Sequence, residues 1–323
     1  MSYPSNYHYF AGITLLLTAV VNASDYDHFI TEQDVLGELP SISSVSRMDQ
    51  SLDKVPASIT LIDGELIEAS GAITWVDVFR LVPGMQAYYI NGNRYGIAYH
   101  GFGDEFPNHM EVTIDGRSIY SPAFSTITWD SLGLSIHDVE YIEVVRGSNA
   151  PSQGSNAFTG AINIVTKNPI QQSGTRMTAT VGERSTREAH LSHNGQTGDF
   201  GYGVNLSYRH NNGFRGVWDN PPNGPMDDGT EQLSADVRGI YTPNLQDEFD
   251  FQLGTAYSRP GWGDVDHPDQ FSQTEFDTHY QSVKWSRNLD NGEFLDPRAY
   301  IAFAGEVIAA CRALSDAPIV IGG

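Results

Sequence analysis

The sequence is short of cysteine and of positive charge. Cys311 is the only cysteine among the 323 residues, which excludes an internal disulfide framework and a cysteine-based zinc site. Lysine and arginine together number 18, against 40 aspartates and glutamates, so the formal net charge at pH 7 is −22. Because phosphates would repel a surface of that charge, nucleic-acid binding is excluded as a function.

Hydrophobic runs long enough for a transmembrane helix are also lacking. The apolar run at residues 10–21 is far shorter than the ~20 residues that such a helix needs. It suits the core of a signal peptide that would be cleaved after Ala23, although no lysine or arginine precedes it. A buried N-terminal helix is the alternative to a signal peptide at residues 1–23. If the protein lies in a membrane, strands must therefore cross it.

The second half of the sequence is rich in stretches where apolar and polar residues alternate. Within 174–288, apolar residues alternate with polar or small ones, as from Tyr202 to His210 and from Leu233 to Tyr241. Strands of about ten residues with one apolar face are typical of outer-membrane barrels. Short connections, at 195–198 and through 243–244, alternate with long ones, at 211–230 and 259–274. A soluble sandwich, which is the alternative, has no reason to sort its loops in this way. The pattern predicts barrel strands over 170–296.

The first half of the sequence has a different pattern, that of mixed helices and strands. Residues 51–169 combine short strands with two short helices that Asp63 and Thr74 can cap, the second over Trp75–Leu81, and Asp115-Gly116 is a strong hairpin signal. This pattern predicts a compact α+β domain. The preceding residues 24–50 are polar and acidic, which favours either a plain linker or a segment that pairs with the sheet edge of a partner.

Residues 55–168 resemble the plug domain of TonB-dependent outer-membrane receptors. The resemblance is carried, in order, by 56–63, 67–72, 79–84, 114–120, 139–147 and 154–167. It implies an α+β plug domain followed by an antiparallel transmembrane β-barrel in the outer membrane of a Gram-negative cell. It also implies import of an iron-siderophore, cobalamin or similar scarce ligand, with the energy-coupling protein TonB bound through residues 24–50, in which 38–45 is the best candidate stretch. The sequence departs from the family at His100, Ser148 and Gln153.

The loops of the predicted plug offer candidate ligand-binding residues. Aromatic faces beside amide groups suit a bulky, amphipathic ligand, although the same residues could simply pack the plug against the barrel. The candidates are Tyr88, Tyr89, Asn91, Asn93, Arg94, Tyr95, Phe124 and Trp129.

Two further residues are candidates for a latch between plug and barrel. Arg146 can make bidentate hydrogen bonds to a barrel carboxylate, and Glu143 lies three residues before it. A pair within the plug itself is the alternative. The sequence shows no set of nucleophile, base and orienting group, no metal site and no cofactor motif, so we do not expect an enzyme.

The residues after the plug are too few to close a barrel of this family. About 22 strands would need more than about 400 residues, whereas 323 − 169 = 154 follow residue 169. We therefore expect six or seven strands of an incomplete barrel. From Pro297 the sequence pattern changes to that of a helix and then of an apolar strand. Residues 297–323 are therefore predicted to be an atypical tail from a truncated or chimeric reading frame. The alternative function is a non-transporting periplasmic or envelope module that binds or signals.

Overall fold

A computed structural model of the protein describes only part of the chain. The described residues are 41–42, 50–51, 58–101, 103, 109–120, 126–148, 156–214, 227–262, 272–288, 294–295 and 298–304. All of them belong to one compact unit, Pro40–Gly323. Phe124, the predicted tail beyond residue 304 and most of the segment 24–50 lie outside the described residues.

The predicted plug is built on a five-stranded mixed sheet in the order β3-β8-β9-β6-β7. Strands β6 and β9 run parallel, and the other pairs in this sheet are antiparallel. A separate hairpin joins β4 to β5, and β1 pairs with β2. The strands are β1 (Ser41–Ile42), β2 (Gln50–Ser51), β3 (Ser58–Asp63), β4 (Gln86–Tyr89), β5 (Tyr95–Ala98), β6 (Met110–Ile114), β7 (Arg117–Ser118), β8 (Val139–Arg146) and β9 (Gly160–Thr166).

Two short helices follow the first plug strand, and both begin at the predicted caps. Helix α1 (Gly64–Ser70) begins after Asp63, whose carboxylate accepts a hydrogen bond from Leu66 N at 2.7 Å. Helix α2 (Trp75–Phe79) begins with a capping box between Thr74 and Asp77. It was predicted to reach Leu81, but the last residues turn more tightly, with Leu81 N bonded to the carbonyl of Val78.

The helices pack on the plug sheet through a buried apolar cluster. Its aromatic centre is Trp75, Phe79 and Trp129, with ring centroids 5.0 Å apart for Phe79 and Trp129. Trp129 lies in a single 3-10 turn, Trp129–Ser131, and a second such turn is Ile136–Asp138. The branched residues of β8 and β9 complete the cluster, so the plug has a core of its own.

The long strands of the second half form one antiparallel sheet, called the wall here. The described part of this sheet runs in the order β10-β11-β12-β13-β14-β17, and both β18 and β19 pair with β17. It is open, and the prediction of an α+β domain followed by an incomplete antiparallel barrel is confirmed. The strands are β10 (Gly174–Val181), β11 (Arg187–Thr197), β12 (Phe200–Asn211), β13 (Thr230–Tyr241), β14 (Asp247–Ser258), β15 (Gly261–Trp262), β16 (Ser272–Gln273), β17 (Phe276–Asn288), β18 (Phe294–Leu295) and β19 (Arg298–Ala304).

The two faces of the wall differ as the alternation predicts. Apolar side chains project outwards and are exposed, among them Leu233 and Leu253, whereas Ser234 and Gln252 on the opposite face are buried towards the plug. The short turns 198–199 and 242–246 lie at one end, and the long connections 212–229 and 259–275 lie at the other. We call the second end the outer end, because outer-membrane barrels carry their long loops outside the cell.

Two local differences from the sequence prediction concern strand ends. The connection expected at 195–198 is only the two residues 198–199, because β11 continues to Thr197 in register with β12. Residues 298–304, placed in the atypical tail by their sequence, form β19, which pairs with β17. Within the described ranges, the helices are all too short or too polar to cross a bilayer.

Candidate ligand site and plug interface

The hairpin β4-β5 presents a tight loop, residues 90–94, which we call the plug tip. The Asn91 side-chain oxygen accepts hydrogen bonds from the backbone N–H groups of Asn93 (3.0 Å) and Arg94 (2.8 Å). Ile90 N donates to the Arg94 carbonyl at 2.9 Å, which closes the loop. An asparagine that bonds backbone two and three residues ahead is a standard way to build such a turn.

The structure brings six of the eight candidate ligand residues together on this hairpin. Tyr88 and Tyr89 are half-buried, whereas the four from Asn91 to Tyr95 are buried. Trp129 comes from a different part of the plug and packs in its aromatic core. Phe124 lies outside the described residues. Ligand binding by these residues stays a prediction.

Aromatic and cationic groups surround the plug tip. The Arg94 guanidinium lies 5.1 Å from the ring centroid of Trp262, in the connection between β14 and β17. Asn93, Arg94, Trp129 and Trp262 line a common cleft between the plug and the wall. Tyr89 makes an edge contact with the wall residue Phe214 at 5.3 Å. The sequence analysis missed Trp262, whose only signal was its place in a long outer connection.

Among the described residues, two buried amide atoms at the plug tip have no hydrogen-bond partner. They are Nδ2 of Asn91 and Oδ1 of Asn93. Asn93 uses its other amide atom, Nδ2, to donate to the carbonyls of Asp228, Gly229 and Gly261 on the wall, at 3.1, 3.2 and 2.7 Å. A buried polar atom without a partner is costly and needs an explanation.

The two candidate latch residues lie on β8. Glu143 is completely buried and accepts a hydrogen bond from Asn163 Nδ2, on the neighbouring plug strand, at 3.1 Å. Arg146 is half-buried at the end of β8, where it lies opposite Ser58 and Gly160. That Glu143 and Arg146 form a latch between plug and barrel stays a prediction.

An arginine of the wall makes several polar contacts with the plug. Arg238 on β13 holds Asp250 on β14 with two hydrogen bonds, of 3.2 and 2.7 Å. Its Nη1 donates to Oγ1 of Thr166 (2.8 Å) and lies 3.3 Å from the carbonyls of Thr166 and Lys167, at the end of β9. The sequence analysis did not single out Arg238.

Asp115 extends this contact on the plug side. Its carboxylate accepts from the N–H and hydroxyl of Thr166, at 2.9 and 2.7 Å, and from Nε2 of the wall residue Gln252 at 3.1 Å. Across β14, Tyr280 on β17 donates to Asp236 on β13, and the Arg117 guanidinium of the plug stacks over the Tyr280 ring at 3.9 Å. The plug is therefore held through a connected polar network.

Two histidines meet at another part of the plug–wall interface. His137 of the plug lies 3.9 Å from Glu188 on β11, and its ring centroid is 5.5 Å from that of His190. His190 Nε2 lies 3.1 Å from Oδ1 of Asp138, close enough for an ion pair, although the two groups are not oriented for a hydrogen bond. Burial lowers the pKa of His137 below its ordinary 6.5, and Glu188 acts in the opposite direction.

The described side chains include no group of three or more histidines, cysteines or carboxylates placed to hold a metal ion. The outer end combines aromatic rings, guanidinium groups and amide groups, which suits non-covalent binding.

Comparison with known proteins identifies the family of the plug. The family described as TonB-dependent Receptor Plug Domain matches residues 51–161. A curated relative, the Vitamin B12 transporter BtuB of Vibrio vulnificus (strain CMCP6), is 27% identical over 281 residues, covering 85% of this chain and 42% of the relative. The Catecholate siderophore receptor Fiu of Escherichia coli (strain K12) is 29% identical over 199 residues, covering 59% of this chain and 25% of the relative.

Solved structures show the same fold. The FpvAI–pyocin S2 complex matches with a TM-score of 0.65 at 16% identity, covering 81% of this chain and 36% of that one. The alcaligin outer-membrane receptor FauA of Bordetella pertussis matches with a TM-score of 0.62 at 16% identity, covering 82% and 42%. The chain spans less than half the length of these relatives. Its residues 51–161 match the family described as TonB-dependent Receptor Plug Domain, and its plug and wall share the fold of these solved structures.

Proposed function

We propose that this chain belongs to a receptor that imports a metal chelate, such as an iron-siderophore or cobalamin, and binds it at the plug tip. The observation that carries the proposal is the pair of unpartnered amide atoms, Asn91 Nδ2 and Asn93 Oδ1, buried at the outer end of the plug. Each buried polar atom without a partner costs about 1–3 kcal/mol of stability until a hydrogen-bond partner satisfies it. A ligand that reaches the tip can supply those partners.

The surroundings of the tip favour a large ligand with aromatic or anionic groups. Arg94 and Trp262 form a cation–π pair on one side of the cleft, and Trp129 contributes a second indole. Binding sites of this kind are mostly apolar, with a few polar groups that fix the orientation of the ligand. The curated relatives include a transporter named for vitamin B12 and a receptor named for catecholate siderophores, so both classes are suitable probes.

The proposed import also requires coupling to TonB through residues 24–50. Within this segment the structure describes only Ser41–Ile42 and Gln50, which take part in the β1–β2 pair. An extended segment can bind a partner by adding a strand to its sheet, which is the mode expected for the stretch 38–45. Deletion of residues 38–45 should therefore abolish uptake and leave ligand binding unchanged.

Ligand binding can be tested with the full chain in detergent micelles. Cyanocobalamin and a ferric catecholate siderophore would each be titrated while tryptophan fluorescence is recorded, because Trp129 and Trp262 line the cleft. The variant Arg94→Ala removes the guanidinium, and Arg176→Ala is the matched control, since Arg176 is half-exposed on β10. A hydrogen bond to a charged group is worth about 1.5–3 kcal/mol, so losing the contact of the guanidinium with an anionic ligand group should weaken binding more than tenfold in Arg94→Ala.

Two outcomes would count against the proposal. If neither chelate quenches the tryptophans or binds by equilibrium dialysis, these two ligand classes are excluded. If a chelate binds equally well to Arg94→Ala and to the Arg176→Ala control, the plug tip is not its site.

A further inference from the structure

The plug tip is joined to the wall at the bases of both long outer connections. Gly92 N donates to Oδ2 of Asp228 at 2.5 Å, and Asn93 donates to the carbonyl of the same residue. Asp228 lies at the end of the connection 212–229, and Gly261, also bonded by Asn93, lies at the start of the connection 259–275. We call these contacts the tip joint.

The Asp228 carboxylate is the centre of the tip joint. It has no exposed surface, and its two oxygens accept from different parts of the protein. Oδ2 accepts from Gly92 of the plug, and Oδ1 accepts from Phe214 N of the wall at 2.9 Å. Among the described residues, no cation pairs with Asp228, so backbone N–H groups stabilise its charge. One side chain therefore orders both the plug tip and the wall segment beside it.

The backbones in the tip joint approach too closely for side chains. A Cβ atom at Gly92 would lie 2.5 Å from Gly213 Cα and 2.7 Å from the Asp228 carbonyl oxygen. A Cβ at Gly261 would overlap the Asp227 carbonyl oxygen. Glycine is the residue that permits such backbone contacts, so the joint is a specific feature of this sequence rather than a loose surface contact.

We propose that Asp228 and Asn93 are positioning residues that couple the two outer connections to the plug tip, so that neither moves without the other. Asn93 is bonded to the bases of both connections, so a shift of the plug tip moves both bases with it while the joint is intact. The consequence for ligand capture rests on the proposed function: a ligand that moves the outer connections would move the plug tip through Asp228. The coupling itself is a property of the ligand-free chain.

Hydrogen exchange of the full, ligand-free chain in micelles tests the coupling. Asp228→Asn keeps one acceptor oxygen for two N–H donors, and Asp277→Asn is the matched control, since Asp277 is exposed on β17. In Asp228→Asn, the amides of Gly92 and Phe214 should exchange faster together, by about tenfold. The amides of Ile162 and Ile164, in the plug core, should keep their protection. Faster exchange at only one of Gly92 and Phe214 would overturn the proposal.

A second variant tests the joint from the plug side. Asn93→Ala removes the donor to the wall carbonyls but leaves Asp228 in place. If the joint couples the two parts, exchange should also accelerate at Phe214, which is not one of the three residues whose carbonyls accept from the Asn93 amide. Acceleration confined to residues 90–94 would overturn the coupling. Neither measurement uses a ligand, so a failed titration with the two chelates leaves this result standing, and the reverse also holds.

Discussion

Arg238 on the wall binds Thr166 at the end of plug strand β9, with 2.8 Å between Nη1 and Oγ1. The same guanidinium holds Asp250, whose side chain is almost fully buried. Replacing Arg238 by methionine would leave that carboxylate and the plug carbonyls without their partner. Removal of one member of a buried charge pair costs about 3–5 kcal/mol. We therefore expect Arg238→Met to weaken the attachment of the plug to the wall.

The weaker attachment can be measured by trypsin cleavage after Lys167, which adjoins the contact, at a series of urea concentrations. Cleavage should begin at a clearly lower urea concentration in Arg238→Met than in the wild type. In Arg238→Lys it should begin at an intermediate concentration, because lysine keeps the charge but lacks the planar guanidinium that makes two parallel hydrogen bonds. Arg176→Met is the control: its pair with Glu68 is half-exposed, and such pairs are worth about 0–1 kcal/mol. Equal urea midpoints for Arg238→Met and Arg176→Met would contradict the prediction.

The interface around His137 predicts a dependence of plug stability on pH. Burial lowers the pKa of His137 in the folded protein below 6.5, so the unfolded state binds the proton more readily. The contribution of this residue to stability is therefore present above pH 6.5 and is lost as the pH falls through the folded pKa. The charged and titratable groups that face the ring are Glu188 and His190 on β11, Asp138 beside it and Glu68 on α1.

The measurement is the urea midpoint of plug release at a series of pH values from about 7.5 to about 5. His137→Gln should flatten the decline of this midpoint on acidification. His193→Gln is the matched control, because His193 is exposed on β11 and contacts Thr175 instead. A profile for His137→Gln that falls as steeply as that of the control would show that another group carries the dependence.

Local signals in the sequence predicted much of the plug, and distant contacts were beyond their reach. The caps at Asp63 and Thr74 and the turn at Asp115-Gly116 follow from rules that involve residues within one turn of each other. By contrast, Asn93 and Asp228 are 135 residues apart, and the hydrogen bond between them depends on how the plug sits in the wall.

The same limit explains the mixed result for the candidate site. An aromatic loop predicts a group of rings, but its composition does not distinguish rings that face a ligand from rings that fill a core. Trp129, assigned to the ligand site by its sequence, both packs against Phe79 and lines the cleft, whereas Trp262 lines the same cleft and was not predicted. The alternation of apolar and polar residues predicted the two faces of the wall, because successive side chains of a strand point to opposite faces. It did not indicate which of the polar residues contact the plug.

The outward face of the wall predicts how the sheet responds to a buried charge in a membrane. Val237 lies near the middle of β13, is 45% exposed and belongs to the apolar face. An arginine on the lipid face of a barrel costs about 2–4 kcal/mol near the middle of the bilayer. Val237→Arg should therefore lower the urea midpoint of the chain in lipid vesicles, whereas Val237→Leu, which keeps the face apolar, should leave it nearly unchanged. If both variants unfold at the same urea concentration, this face of the sheet does not contact lipid.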